Sequence, residues 1–415
     1  MKRFVVFSAL VNMCLAPLHA AEMRTWMSRK GGTMEAELGS VQGDSVTLVN
    51  KESKSISFKI EDLSLADRQH LVEVGGAPET IIASGKPGLV EKEARIDNSA
   101  FKRLDNKLVF PDGPSDGAEL LETQHFLIAT AGNIRPQAMA ETAERLWHGM
   151  AFQHMNFRQD WADKRMLILL VEDEAFHADL GKWYSASLAK ENQQDAARNV
   201  ANIWNKGTSM SMHLPDDLCT KYNILKSAKI FKVKEASTYR KPLSPFPTHS
   251  LAGDLLDIQM GGVSSYGSEG YFAISTGHAF FKEISLAGKS ETSLITVSGT
   301  GGDDIGSKRG FEDGTSWART LRPLVRSGKV KIELAPMLSW KPEGLDAEKL
   351  VVIYSFAYYM QSDSKRLAAF AKMIRRVESS NQIPSPEEIA KIFGFDTVAA
   401  FETDWATFIK EGDFK

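Results

Sequence analysis

From Thr33 to Ile60 the chain alternates apolar and polar residues in three short runs, Thr33-Met34-Glu35-Ala36-Glu37-Leu38, Ser45-Val46-Thr47-Leu48-Val49 and Ser55-Ile56-Ser57-Phe58-Lys59-Ile60. A period of two places the apolar side chains on one face of half-buried strands. Gly43-Asp44 and the polar run Asn50–Lys54 turn the chain between them. Ser64 then stands as a cap before a short helix, with Asp67 three residues on. Three or four strands in so few residues predict a small, strongly bent sheet closed like an SH3-type barrel over residues 22–74.

After residue 74 the pattern changes. Gly75-Gly76-Ala77-Pro78 and Gly85-Lys86-Pro87-Gly88 interrupt any regular element, so residues 75–118 read as a linker with one short strand at Leu108–Phe110. A larger unit, 119–415, follows. His125–Ala131 and Met166–Val171 are continuous apolar runs of strand length. Pro136 opens an amphipathic helix on which Met139, Ala143, Leu146, Met150 and Ala151 recur at helical spacing. Residues 174–190, 350–360, 364–377, 386–393 and 397–410 also read as helices. The predicted fold class is α+β: a small β module followed by a larger, mainly helical domain.

The first 20 residues change where this chain is expected to work. Lys2 and Arg3, the apolar run from Phe4 to Leu18 and the ending Leu18-His19-Ala20 have the layout of a secretory signal peptide cleaved after Ala20. The run is shorter than the roughly 20 apolar residues of a spanning helix, and no later stretch is long and apolar enough. The expectation is an exported, periplasmic or extracellular protein without a membrane span. Cys14 leaves with the signal, so Cys219 has no disulfide partner and reads as a buried thiol. A formal net charge of -3, or -5 once Lys2 and Arg3 are removed, disfavours nucleic acid as a partner.

Candidate chemistry centres on residues 246–272. Zinc hydrolases present two histidines one helical turn apart, a glutamate after the first as general base, and a third ligand from a following helix. Here His249 stands at the first ligand position, Ser250 in place of the base, and Gly253 in place of the second histidine; Ser268-Glu269-Gly270 follows downstream. A serine does not take a proton from metal-bound water at neutral pH, and glycine offers no donor atom. His249 and Glu269 alone are too few ligands, and Asp254 or His278 would have to supply a third. The alternative is a partly buried His249 hydrogen-bonded to a neighbour. No catalytic residue, metal or cofactor is assigned. His148 and His154, six residues apart, do not share a helix face and read as structural or exposed.

Two resemblances bear on these residues. Arg24-Thr25-Trp26, Met34–Leu38, Gly43–Leu48 and Ile60–Asp67 resemble the first homology domain of the Sla-type endocytic and actin-assembly adaptors. That resemblance implies an SH3-like barrel that binds a protein or peptide, with Trp26 as the candidate contact or, alternatively, a core residue plugging the barrel. The order of strands and helices after residue 120, the segment around His249 and Glu269, and the closing Phe393-Gly394-Phe395 and Phe401-Glu402-Thr403-Asp404-Trp405 resemble the peptidase-MA-like branch of the gluzincins. This second resemblance implies a degenerate gluzincin-like domain, a pseudopeptidase.

Other signatures lack their companions. Ser187-Leu188-Ala189-Lys190 has the spacing of penicillin-recognising enzymes without the Lys-Thr-Gly and Ser-Asp-Asn elements. Gly299–Asp304 is not followed by the lysine of a phosphate loop. Asp303, Asp304, Glu312 and Asp313 do not match calcium-loop spacing. The expected function is a secreted, non-catalytic protein- or peptide-binding protein. The rivals are a remodelled hydrolase using His249, Asp254 and Glu269, and a structural envelope component.

Overall fold

The computed structural model describes residues 22–85, 87–155, 157, 161, 164–261, 269–292 and 309–415. The signal-like segment, Ser268 and Gly299–Asp304 lie outside the described residues. The chain is α+β with two sheets.

The first sheet is antiparallel, with strands β1 (Arg24–Met27), β2 (Thr33–Gln42), β3 (Ser45–Asn50) and β4 (Ser55–Lys59) in sequence order. Its alternation is that of the sequence: Ala36, Val46 and Leu48 are buried with Trp26, Ile60, Leu63 and Leu71. Ser64 caps α1 (Leu65–Glu73), its Oγ accepting from the Asp67 amide. The buried Asp67 carboxylate in turn accepts from Arg24, the Met27 amide and Ser64. Burial pushes its pKa up, against those hydrogen bonds.

The segment expected to be a linker is packed and partly regular. It contains α2 (Val90–Glu93) and β5 (Lys102–Leu108), which begins earlier than the strand predicted at 108–110. Residues 87–95 form a strap across the larger unit. Glu91 is 1% exposed; Arg145 donates to the carbonyls of Glu91 and Ala94, each at 2.8 Å; Arg29 grips Glu93 with two hydrogen bonds of 2.6 and 2.8 Å. Gly and Pro correctly mark breaks here, but a segment without long elements can still dock through buried side chains.

The second sheet has six strands in the order β5-β6-β7-β8-β10-β9, with β6 (Ala118–Glu122), β7 (Phe126–Ala131), β8 (Arg165–Val171), β9 (Ser209–His213) and β10 (Ile224–Lys232). β7, β8 and β10 are parallel, and the outer pairs are antiparallel. Both faces are covered, which is why β7 and β8 read as continuous apolar runs. Phe126, Ile128, Met166, Ile168 and Leu170 point into one core, Leu127, Ala129, Leu167, Leu169 and Val171 into the other. α4 (Glu174–Lys190), α5 (Gln194–Ile203) and α6 (Asp216–Tyr222) lie on the second side.

The first side carries α3 (Gln137–Gln153) and a hairpin of α7 (Pro245–Met260) and α8 (Tyr271–Ala287). The remaining helices complete that layer: α9 (Trp317–Arg326), α10 (Leu334–Ser339), α11 (Ala347–Met360), α12 (Ser364–Ser380), α13 (Pro386–Ile392) and α14 (Val398–Glu411). Aromatic residues of the closing segment join the core, with Phe401 and Trp405 fully buried around Tyr359 and Phe356. Among the described residues no helix is long and apolar enough to cross a membrane.

Candidate functional site

α7 starts where Pro245 occupies the first helical position, a place that suits its fixed φ and missing N–H. α8 runs back antiparallel, and two side-chain contacts fix the register. His249 Nδ1 donates to Glu283 Oε2 at 2.9 Å, and Ser275 Oγ donates to Asp257 Oδ1 at 2.9 Å. Since a carboxylate only accepts, Nδ1 is the donor of this hydrogen bond.

That register separates the two residues that the sequence matched to the zinc pattern. Glu269 precedes α8 and is exposed, whereas the partner of His249 is Glu283, near the other end of the helix. At 1.5 Å of rise per residue, the fourteen positions between the two glutamates correspond to roughly 20 Å along the hairpin. The structure does not bring His249 and Glu269 together.

The other positions face elsewhere. Ser250 Oγ lies 2.9 Å from Ser209 Oγ of the edge strand β9. Asp254, one turn on and therefore on the same face, accepts from Ser211 Oγ at 2.9 Å and from Lys229 Nζ at 3.1 Å. A Cβ placed on Gly253 would lie 3.7 Å from that of Ala279, between the two helices. His278 is fully buried against Phe370. Neither Asp254 nor His278 joins His249 as a ligand, and among the described residues no three His, Cys, Asp or Glu side chains are grouped to hold a metal.

Glu283 does not belong to the zinc pattern and is not among the residues expected at the site. It is fully buried and accepts from His249, Ser290 Oγ, the amides of Glu291 and Thr292 and the Thr292 hydroxyl. The available signal was Lys282-Glu283 itself, the two acidic or basic residues of a helix that is otherwise mostly apolar, a pattern that marks buried, partnered charges. Lower on the hairpin, burial and the nearby Asp254 push the Asp257 carboxyl up to about 6, against hydrogen bonds from Tyr271 and Ser275.

A second polar cluster lies on another side of α8. Lys282 Nζ donates to Glu91 Oε1 at 2.6 Å and to Gln153 Oε1 at 2.8 Å. Gly149 makes room for the strap: a Cβ there would come within 2.2 Å of Glu91 Oε1. Beside this pair sit His154 and His278, with ring centroids 6.4 Å apart. Both nitrogens of His154, Nε2 of His278, Oε1 of Gln361 and Oε2 of Glu91 have no hydrogen-bond partner among the described residues. Burial, with Lys282 nearby, pushes the His154 pKa down to about 3 and that of His278 well below the usual imidazole range. His148, buried as well, donates from Nε2 to the Arg29 carbonyl at 3.0 Å.

Trp26 belongs to the core of the first sheet. It is 2% exposed, its indole N–H donates to the Ala36 carbonyl at 2.9 Å, and the Arg24 guanidinium lies 4.8 Å over its ring. An indole at the centre of so small a core contributes more by burial than it could at the surface. Cys219 is buried and unpaired, its thiol pKa raised by burial. Asp313 accepts from the Thr315 amide and hydroxyl, and Glu312 from the Gly310 amide, so both carboxylates close local turns.

Compared with family models, with curated proteins and with solved structures, the chain matches none.

Proposed function

We propose that this chain is an exported, non-catalytic protein- or peptide-binding protein. In this reading residues 1–20 are a signal peptide, residues 22–74 are an Sla-type homology domain with an SH3-like barrel that carries the binding, and residues 119–415 are a gluzincin-like domain that has lost its zinc chemistry. The observation that carries the reading is the commitment of α7. His249 is tied to Glu283, Ser250 to Ser209, and Asp254 to Ser211 and Lys229, so the face that would activate water instead fastens the helix to its neighbours. The four-stranded antiparallel sheet capped by α1 supports the barrel reading of the N-terminal module.

Elemental analysis of the purified full chain tests the inactive centre: zinc well below one equivalent per chain is expected. Stoichiometric zinc, with peptide-bond cleavage that disappears in Glu269→Gln, would overturn the proposal. The binding role is tested by presenting the full chain to a peptide array. Peptide capture that is reduced by substitutions on exposed residues of β2 and β4 is expected, and indifference to them would remove the module from the account.

A further inference from the structure

A cavity of about 450 Å³ opens between α8, α11 and the strap, within the size range of small-molecule sites. Phe281, Lys282, Gln153, Tyr358 and Leu89 line it, and neither His249 nor Glu283 does. It is therefore separate from the degenerate centre, and what it binds is independent of the function proposed above.

Both lysines among the described lining residues have a carboxylate partner. Lys282 is paired with Glu91 at 2.6 Å, and the other lysine of the lining, Lys415, with Asp413 at 2.9 Å. Among the described residues of the lining, neither lysine is therefore without a carboxylate partner, although the Lys415 pair is exposed to solvent and weak. What the lining offers is neutral hydrogen bonding and aromatic surface. Lys282 Nζ has spent two of its three N–H donors on Glu91 and Gln153. The hydroxyl of the half-buried Tyr358 makes no hydrogen bond to another described residue. The rings of Tyr358 and Phe281 meet edge to face with centroids 5.3 Å apart, forming an apolar corner.

We propose that this cavity is a binding site for a neutral, hydroxyl-rich ring of mono- or disaccharide size. The C–H face of such a ring packs on the aromatic corner, and its rim hydroxyls both donate to and accept from Tyr358 and accept from Lys282, a combination that an ion or a purely apolar ligand does not match. Because Leu89 belongs to the strap, the seat joins the strap to the helical layer.

The test is calorimetric titration of the full chain with glucose, N-acetylglucosamine and cellobiose, with acetate and inorganic phosphate as charged probes, followed by hydrogen exchange at saturation. Saturable binding of at least one sugar is expected, with slowed exchange confined to residues 87–89, 281–288 and 354–362. Tyr358→Phe should weaken binding a few-fold to about tenfold, as for one lost hydrogen bond, and Tyr358→Ala should abolish it. Binding of the anions alone, binding of none of the five probes, protection elsewhere, or unchanged affinity in Tyr358→Ala overturns the assignment. Should Tyr358→Ala fail to fold, the exchange map of the unaltered chain decides.

Discussion

Lys282 and Glu283 are consecutive on α8 and both are buried, yet they face regions built on different terms. Around Glu283 the carboxylate gathers five hydrogen bonds, including two backbone amides that follow α8. Around Lys282 a buried ion pair adjoins two histidines and a glutamine whose polar atoms have no hydrogen-bond partner among the described residues. The first region gains stability from its polar groups. The second carries the cost of desolvating groups that receive little in return, as buried polar atoms without partners do.

Charge deletion is the most severe way to separate the two. Lys282→Met leaves Glu91 buried without its cation and should cost about 3–5 kcal/mol in urea denaturation, with much of the loss recovered by adding Glu91→Leu. An uncorrected double variant would show that the strap needs the ion pair itself and not merely the absence of a lone charge. Glu283→Ala should cost about 3 kcal/mol, because the donors it serves lose their acceptor in a buried setting. A loss under 1 kcal/mol would mean that water replaces the carboxylate and that the first region is wetter than its burial implies.

His154→Leu is the smallest effect and the sharpest contrast, since it removes two unmatched nitrogens. At pH 7.5 it should be neutral or slightly stabilising, within about 1 kcal/mol. Its pH dependence has a definite sign. The folded pKa, near 3, lies below the unfolded value of about 6.5. The unfolded chain therefore takes up the proton first, and stability falls as pH drops through the window from 6.5 to 3. Between pH 6.5 and 5 this histidine accounts for about 1.6 kcal/mol of that fall, and the leucine variant should lose correspondingly less. Parallel pH profiles for the two proteins would count against the buried, neutral histidine.

Legibility in the sequence followed the range of the interactions. β7, β8, α3, α4 and the helices of the closing segment are long and strongly periodic, and they lie where the apolar spacing places them. β10 was passed over because Lys226, Ser227 and Lys229 interrupt its apolar pattern, and Lys229 is buried only because Asp254 meets it from α7. The strap was hidden for the same reason: Glu91 is explained by Lys282, 191 residues away. At the candidate site the departures from the zinc pattern at Ser250 and Gly253 were plain. The actual partner of His249 was not, because an antiparallel register cannot be read from the spacing of one ligand motif.

That register has a practical corollary for anyone wishing to install a cation in this scaffold. His249 lies across from Glu283, and Gly253 across from Ala279. A histidine placed at 253 would project between the helices toward 279, so a designed coordination cage belongs at 249, 253, 279 and 283, and Glu269 has no part in it.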